Sequence, residues 1–112
     1  MKTVKLMLDY LQGPIWISNA DTGEPMTGID IVDTDMELPK LNLECCKLYS
    51  SCYEFDSHNQ TCWFNKEKLL NNKKRILYLL DTIKKRLDFI NDGSYVVDDM
   101  ETEKIRNIEK FD

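Results

Sequence analysis

Residues 65–92 read NKEKLLNNKKRILYLLDTIKKRLDFIND, and this stretch decides the fold. Its apolar side chains recur every three or four positions, with Lys73 at the one position that breaks the series: Leu69, Ile76, Leu80, Ile83, Leu87 and Ile90. This spacing predicts one long amphipathic helix. Asn91-Asp92-Gly93 predicts its end, because glycine readily adopts the left-handed conformation that closes many helices. The apolar stripe then needs a second layer of structure to cover it.

A second amphipathic helix is predicted from Pro39 to about Phe55. Its apolar residues repeat at spacings of four and three, and proline is well tolerated in the first turn of a helix: Leu41, Cys45, Leu48, Cys52 and Phe55. We expect this helix to run antiparallel to the 65–90 helix. The link 56–64 contains Trp63 and Phe64, whose burial would close one end of the helix pair.

Alternating apolar and polar residues predict strands near both ends of the chain. Residues 3–11 alternate, Gln12-Gly13-Pro14 interrupts them, and Ile15-Trp16-Ile17 follows, which favours an antiparallel hairpin. Residues 18–37 predict a loop with a short strand at 28–32. Residues 94–97 predict a later strand that rejoins the sheet, and Asp98 with Glu101 resembles a capping box at the start of a short last helix.

The expected fold class is therefore α+β. It comprises an N-terminal β-hairpin and a later strand packed on an antiparallel pair of helices, followed by a short C-terminal helix. The 112 residues are enough for one domain, which we assign to 1–112.

The composition is that of an ordinary globular protein, with 42% hydrophobic and 31% charged residues. No apolar run approaches the roughly 18–20 residues of a membrane span. Lys5 and Asp9 interrupt the apolar part that a signal peptide would need, so we predict a cytoplasmic protein. In that compartment Cys45, Cys46, Cys52 and Cys62 are expected to be free thiols.

Charge is distributed unevenly along the chain, whose net charge is −5. Eight basic residues lie between positions 66 and 86, including the triplets Lys73-Lys74-Arg75 and Lys84-Lys85-Arg86, against only Glu67 and Asp81. Residues 30–37 and 92–103 contain acids and no base. We expect acidic loops beside a basic helix face, either solvated and paired with one another or available to a partner.

Residue patterns that carry catalysis or bind metals are weak in this sequence. His58 is the only histidine, and Cys62 lies four residues away. The sequence indicates no third residue that would complete a catalytic group with them. We therefore expect His58 to be an exposed loop residue. Cys45, Cys46, Cys52, Cys62 and His58 lack the close pairs typical of zinc sites, and the acids at 30–37 lack the spacing of a calcium loop. The glycines form no phosphate-binding loop. We predict no catalytic residue, no metal and no cofactor.

The acidic loops predict a surface that docks on a basic protein, because complementary fields speed encounter and select the partner. The candidate partner-binding residues are Asp30, Asp33, Asp35, Glu37, Asp98, Asp99 and Glu101. The alternative is a small regulatory protein that binds nucleic acid through the basic face of the 65–91 helix. The net negative charge opposes that alternative, and Tyr78 is the only aromatic residue between the two basic triplets.

The first half of the chain resembles a group of small bacterial proteins. The resemblance lies in the opening VKLMLDY, in Pro14-Ile15-Trp16, in Glu37-Leu38-Pro39 and in the helix end at 49–55. The chain departs from that pattern in its cysteines, in Gln12-Gly13 before Pro14 and in its C-terminal segment. Small acidic single-domain proteins of this kind also resemble the immunity proteins of bacterial polymorphic toxin systems. That resemblance implies a non-catalytic protein that neutralises a toxin domain by occluding its active surface, with no residue assigned to the contact.

Overall fold

The predicted long helix is the largest element of the fold. The computed structural model of the protein describes residues 2–57 and 60–108. In chain order, its elements are β1 Lys2–Leu6, β2 Ile15–Trp16, α1 Asp30–Asp33, α2 Leu38–Ser50, β3 Tyr53–Ser57, β4 Gln60–Phe64, α3 Lys66–Ile90, β5 Tyr95–Asp99 and α4 Thr102–Arg106. The fold class is α+β, as predicted.

Helix α3 begins and ends close to where the sequence predicts. The Asn65 side chain accepts a hydrogen bond from the Lys68 N–H at 2.9 Å, which satisfies one of the free donors of the first turn. The helix ends at Ile90, and Gly93 has a φ of 93° in the turn that follows. The predicted stripe is buried from Leu69 to Leu87, and Leu79 is buried with it.

Strand β1 lies at the centre of a three-stranded mixed sheet. It pairs antiparallel with β2, where Lys5 lies opposite Trp16, and parallel with β5 over all five residues. The predicted hairpin and the later strand are therefore both confirmed, although β1 ends at Leu6 and not at Leu11. The short strand predicted at 28–32 is wrong, because α1 occupies that part of the loop.

Helix α2 packs antiparallel to α3. Glu44 pairs with Arg75, and Asp35, just before α2, pairs with Arg86, so the contacts move backward along α3 as the chain moves forward along α2. The predicted extent of α2 is wrong, because it ends at Ser50. Residues 53–57 and 60–64 form an antiparallel hairpin instead, with Tyr53 opposite Phe64. Aromatic residues at 53, 55, 63 and 64 favour strands, and that preference prevails over the helical spacing.

Two apolar clusters share helix α3. One joins Ile83 and Leu87 to Val4, Leu6 and Tyr95 of the sheet. The other joins the first half of α3 to α2 and α4, through residues that include Leu69, Ile76, Leu80, Cys45, Cys52 and Ile105. Phe64 is half-buried against this second cluster, whereas the predicted burial of Trp63 lies outside the described residues.

Asn42 is a fully buried polar residue that ties α2 to the N-terminal hairpin and its loop. Its Oδ1 accepts the Ile15 N–H at 3.0 Å, and its Nδ2 donates to Ser18 Oγ at 2.6 Å and to the Gly23 carbonyl at 2.9 Å. Gly13 packs so closely that an added Cβ would lie 2.6 Å from the Asn42 side-chain amide. This arrangement fixes the loop that leads into the first acidic segment.

None of the helices in residues 2–57 and 60–108 has the length and apolar character needed to span a bilayer.

Candidate interaction surface

Two of the four predicted acids in residues 30–37 fix the shape of their own loop. Asp33 accepts hydrogen bonds from the Thr27 N–H, the Thr27 hydroxyl and the Gly28 N–H, at 2.7–2.9 Å. Asp35 accepts from the Glu37 and Leu38 N–H groups at 3.1 and 3.0 Å, where α2 begins. These carboxylates therefore stabilise the loop and the start of α2.

Asp35 also forms a two-pronged ion pair with Arg86 of α3. The guanidinium Nη2 and Nε lie 2.6 and 3.0 Å from Oδ1, and the Asp35 side chain is only 5% exposed. Burial acts to raise the pKa of Asp35, but the hydrogen bonds from Arg86 and from the Leu38 and Glu37 N–H groups outweigh it and lower the pKa below its ordinary value. The carboxylate is therefore held charged against α3.

The acids of the second loop also differ in role. Asp99 accepts hydrogen bonds from the Glu101 N–H, the Thr102 N–H and the Thr102 hydroxyl, and it pairs with Lys84 at 3.0 Å. The carboxylate at the start of α4 is thus Asp99, and the predicted capping role of Asp98 is wrong. Glu101 is buried, and its Oε1 accepts the Leu8 N–H at 2.7 Å. Burial raises the pKa of Glu101.

We expect Asp99→Ala to lower the free energy of unfolding by about 1 to 2 kcal/mol at neutral pH, because two N–H groups at the start of α4 lose their acceptor. Burial acts to raise the pKa of Asp99, but the hydrogen bonds from Thr102, Glu101 and Lys84 lower it to about 2 from the ordinary value of 3.8. The stability that the carboxylate contributes is therefore present above pH 3.8 and is lost as the pH falls toward 2. Urea unfolding should therefore show that the wild-type protein loses more stability than Asp99→Ala as the pH falls from 3.8 toward 2.

Asp98→Ala is the matched control, because this neighbouring carboxylate is exposed and accepts no hydrogen bond from a described residue. Its free energy of unfolding should stay within about 0.5 kcal/mol of the wild-type value. Equal losses in the two variants would contradict the capping role assigned to Asp99.

Three of the seven predicted acids have carboxylates that make no hydrogen bond within the described residues, and all three are exposed: Asp30, Glu37 and Asp98. They do not form one cluster. Asp30 lines an open depression with Lys2 and Asp92, near the start of β1 and β5. Asp98 lies opposite Lys5, toward the other end of both strands.

Most of the cations in the two basic triplets of α3 bind groups of the chain itself. Within the described residues, five of the six triplet cations have a partner: Lys73 with the Ile108 carbonyl, Arg75 with Glu44, Lys84 with Asp99, Lys85 with Asp81 and Arg86 with Asp35. Lys74 is exposed and has none there. The expected pairing of basic helix and acidic loops therefore occurs in the folded chain.

Large apolar side chains project into solvent beside the Asp35–Arg86 pair. Met36 is 81% exposed and Phe89 is 78% exposed. The Arg86 Cζ lies 5.3 Å from the centre of the Phe89 ring. The same guanidinium pairs with Asp35, the residue that precedes Met36. We call this group the Arg86 patch: Asp35, Met36, Glu37, Arg86 and Phe89.

Met36 and Phe89 are not among the contact residues predicted from the sequence. Phe89 offers a signal, because it lies outside the 69–90 apolar stripe, on a side of α3 that is polar apart from Tyr78. Aromatic residues are enriched at protein interfaces relative to the rest of the surface. Met36 gave no comparable signal, because a single methionine in a loop is ordinary.

The described residues contain no group of three or more histidine, cysteine, aspartate or glutamate side chains arranged to hold a metal ion. Cys45, Cys46 and Cys52 are buried free thiols, as expected for these three. Burial is the main cause that raises the pKa of Cys45 and of Cys52, which keeps these thiols protonated and weakly nucleophilic. The predicted exposure of His58 and the predicted free thiol of Cys62 both lie outside the residues whose side chains the structure describes.

Comparison with known proteins gives no relative for this chain: no family model matches it, and neither does any curated protein or solved structure.

Proposed function

We propose that this protein is a non-catalytic binding protein, an immunity protein that neutralises a bacterial toxin domain by occluding its active surface. The resemblance of the N-terminal half to small bacterial proteins motivates the class of partner. The contact surface that we assign to the partner is the Arg86 patch, and the exposed acids Asp30 and Asp98 contribute to the electrostatic attraction.

The observation that carries this proposal is the exposure of Phe89, whose ring Arg86 contacts, and of Met36, the residue next to Asp35 in the Asp35–Arg86 ion pair. Protein interfaces are enriched in aromatic residues, methionine and arginine, and a few such anchors supply most of the binding energy. The ion pair with Asp35 fixes Arg86, so the patch is ordered before it meets a partner. Such preorganisation lowers the entropic cost of binding.

Charge supports a basic partner over an acidic one. The chain carries a net charge of −5, and its triplet cations are largely paired internally, whereas Asp30, Glu37 and Asp98 remain exposed. A nuclease or another toxin with a basic active surface would therefore be attracted. The nucleic-acid alternative receives less support, because Arg75, Lys84 and Arg86 would have to break ion pairs to contact phosphate.

The product of the neighbouring reading frame is the partner to test. Co-expression should restore the growth of cells that this product inhibits, and the two proteins should co-purify. We expect Phe89→Ala to weaken that binding by at least about tenfold in calorimetry, because truncating an aromatic anchor removes its buried contact area. The free energy of unfolding should hardly change, because the ring is largely exposed.

Tyr78→Ala provides the matched control, since Tyr78 is another exposed aromatic residue of α3 with an arginine over its ring. It should leave the dissociation constant within about twofold, as expected for a residue outside the contact. The proposal fails if the neighbouring product neither binds nor inhibits growth. Unchanged binding in Phe89→Ala would instead remove the Arg86 patch from the contact, and equal weakening by the two substitutions would show that the loss is not specific to this patch.

A further inference from the structure

A largely apolar cavity lies where α2, α3 and α4 meet. Its volume is about 300 Å³, and it is lined by the side chains of Tyr49, Phe64, Leu69, Ile105 and Ile108, with Lys66, Glu101 and Lys104 as the charged members. We call it the α4 cavity. A volume of this size is at the lower end of the range for small-molecule sites, and the space corresponds to roughly ten non-hydrogen atoms.

Glu101 gives this cavity a chemical preference. The residue is only 7% exposed, so it is more than nine-tenths buried while lining the cavity. Its Oε1 accepts the Leu8 N–H at 2.7 Å, but no described residue donates a hydrogen bond to Oε2. A buried acceptor without a donor costs free energy, and a ligand that brings an N–H or O–H group would recover it.

The other charges near Glu101 indicate a ligand without net charge. Lys104 acts on Glu101 as a positive charge, opposing the effects of burial and of Asp99. The carboxylate is therefore partly compensated already, and a cationic ligand would also meet the positive charge of Lys104 at the same cavity. The rings of Tyr49 and Phe64, 5.6 Å apart and tilted by 48°, offer faces and edges to an aromatic ring.

We propose that the α4 cavity binds a compact, uncharged aromatic molecule whose single N–H or O–H group donates a hydrogen bond to Oε2 of Glu101. The apolar walls would enclose the ring, and the carboxylate would fix its orientation. This site is independent of the Arg86 patch and does not rest on the proposed function. Phenols and indoles are the chemical class that fits.

Indole and 1-methylindole form a matched pair of probes, because methylation removes the donor and preserves the ring. Titration of the full chain should give saturable NMR shifts for indole at residues that line the α4 cavity. We expect 1-methylindole to bind about tenfold more weakly, since a hydrogen bond to a buried charged acceptor is lost. Both results are obtained on the wild-type protein, so the test does not depend on whether a variant folds.

Two variants extend the test. Ile108→Trp should fill the cavity and reduce indole binding by at least about tenfold. Glu101→Gln can keep the acceptor for the Leu8 N–H but replaces Oε2 with an amide donor, so the preference for indole over 1-methylindole should disappear. Absence of saturable shifts, equal affinity for the two probes, or unchanged binding in folded Ile108→Trp would each overturn the proposal. Absence of shifts would point to a cavity filled by a protein side chain.

Discussion

Replacing Asn42 with alanine should lower the free energy of unfolding by about 3 to 5 kcal/mol, because the change leaves several buried polar groups without partners. The Ile15 N–H loses its acceptor, and Ser18 Oγ and the Gly23 carbonyl lose the Nδ2 donor. The truncation also opens space beside Gly13, which lies against the amide. Since single domains are stable by only about 5 to 15 kcal/mol, urea unfolding should shift strongly.

Asn71→Ala is the control for this prediction, because it makes the same change at an exposed position of α3. Alanine favours helix over asparagine, so the control should be neutral or slightly stabilising. Asn42→Asp provides a second comparison: it retains an acceptor for the Ile15 N–H but loses both Nδ2 donors, and should remain strongly destabilised. Similar unfolding curves for Asn42→Ala and Asn71→Ala would show that the buried amide does not hold the loop in place.

The sequence predicts those parts of the fold that depend on a long periodic signal. Helix α3 is predictable because six apolar residues keep one spacing over 22 positions and a polar cap precedes them. Its pairing with α2 follows, since both stripes need cover. The parallel alignment of β5 with β1 could not be derived, because residues 94–97 alternate in the same way whichever direction they pair.

The wrong end of α2 has a specific cause. Cys52 is buried, as the helical spacing predicts, but it reaches the core from the turn after α2 and not from another helical turn. The apolar spacing through Cys52 to Phe55 is therefore compatible with a longer helix and also with a helix that ends in a turn. Sequence periodicity alone does not distinguish these two structures. Strand pairing between 53–57 and 60–64 is the tertiary contact that decides the outcome.

The sequence predicts that the candidate surface is acidic, but not which acids are free to contact a partner. Sequence identified seven acids, but it could not show which distant groups Asp35, Asp99 and Glu101 contact, because those contacts depend on the fold. Asp35 and Arg86 lie 51 positions apart, and Glu101 binds a backbone N–H 93 positions away. Neutralising Asp35 or Asp99 would therefore change stability as well as any binding, whereas Asp30, Glu37 and Asp98 can be changed at the surface alone.

Replacing Arg86 with methionine should lower the free energy of unfolding by about 2 to 3 kcal/mol at neutral pH, because it leaves a buried carboxylate without its counter-charge. Asp35 would keep the Leu38 and Glu37 N–H groups but lose both prongs of the guanidinium. Arg86→Lys should recover only part of the loss, since a single ammonium cannot reproduce the fork. Lys85→Met is the control: its exposed pair with Asp81 should contribute at most about 0.5 kcal/mol.

The pH dependence gives this prediction a distinctive sign. Because the pKa of Asp35 is lowered, the stability that its carboxylate contributes is present above the ordinary pKa of 3.8 and is lost as the pH falls below that value. In Arg86→Met the main lowering cause is gone and burial remains, so the pKa of Asp35 should rise. The stability difference between wild type and variant should therefore be largest at neutral pH and shrink in acid. A difference that stays constant between pH 7 and 3 would contradict the ion-pair assignment.

Arg86 also separates two ways of weakening the proposed interface. The Asp35–Arg86 pair holds the loop that carries Met36 against the end of α3 that carries Phe89. Arg86→Met should therefore lower both the stability of the protein and its affinity for the partner, whereas Phe89→Ala should lower affinity alone. Calorimetry and urea unfolding on the same two variants distinguish these outcomes. Full affinity in folded Arg86→Met would mean that binding does not need the arrangement that the ion pair holds.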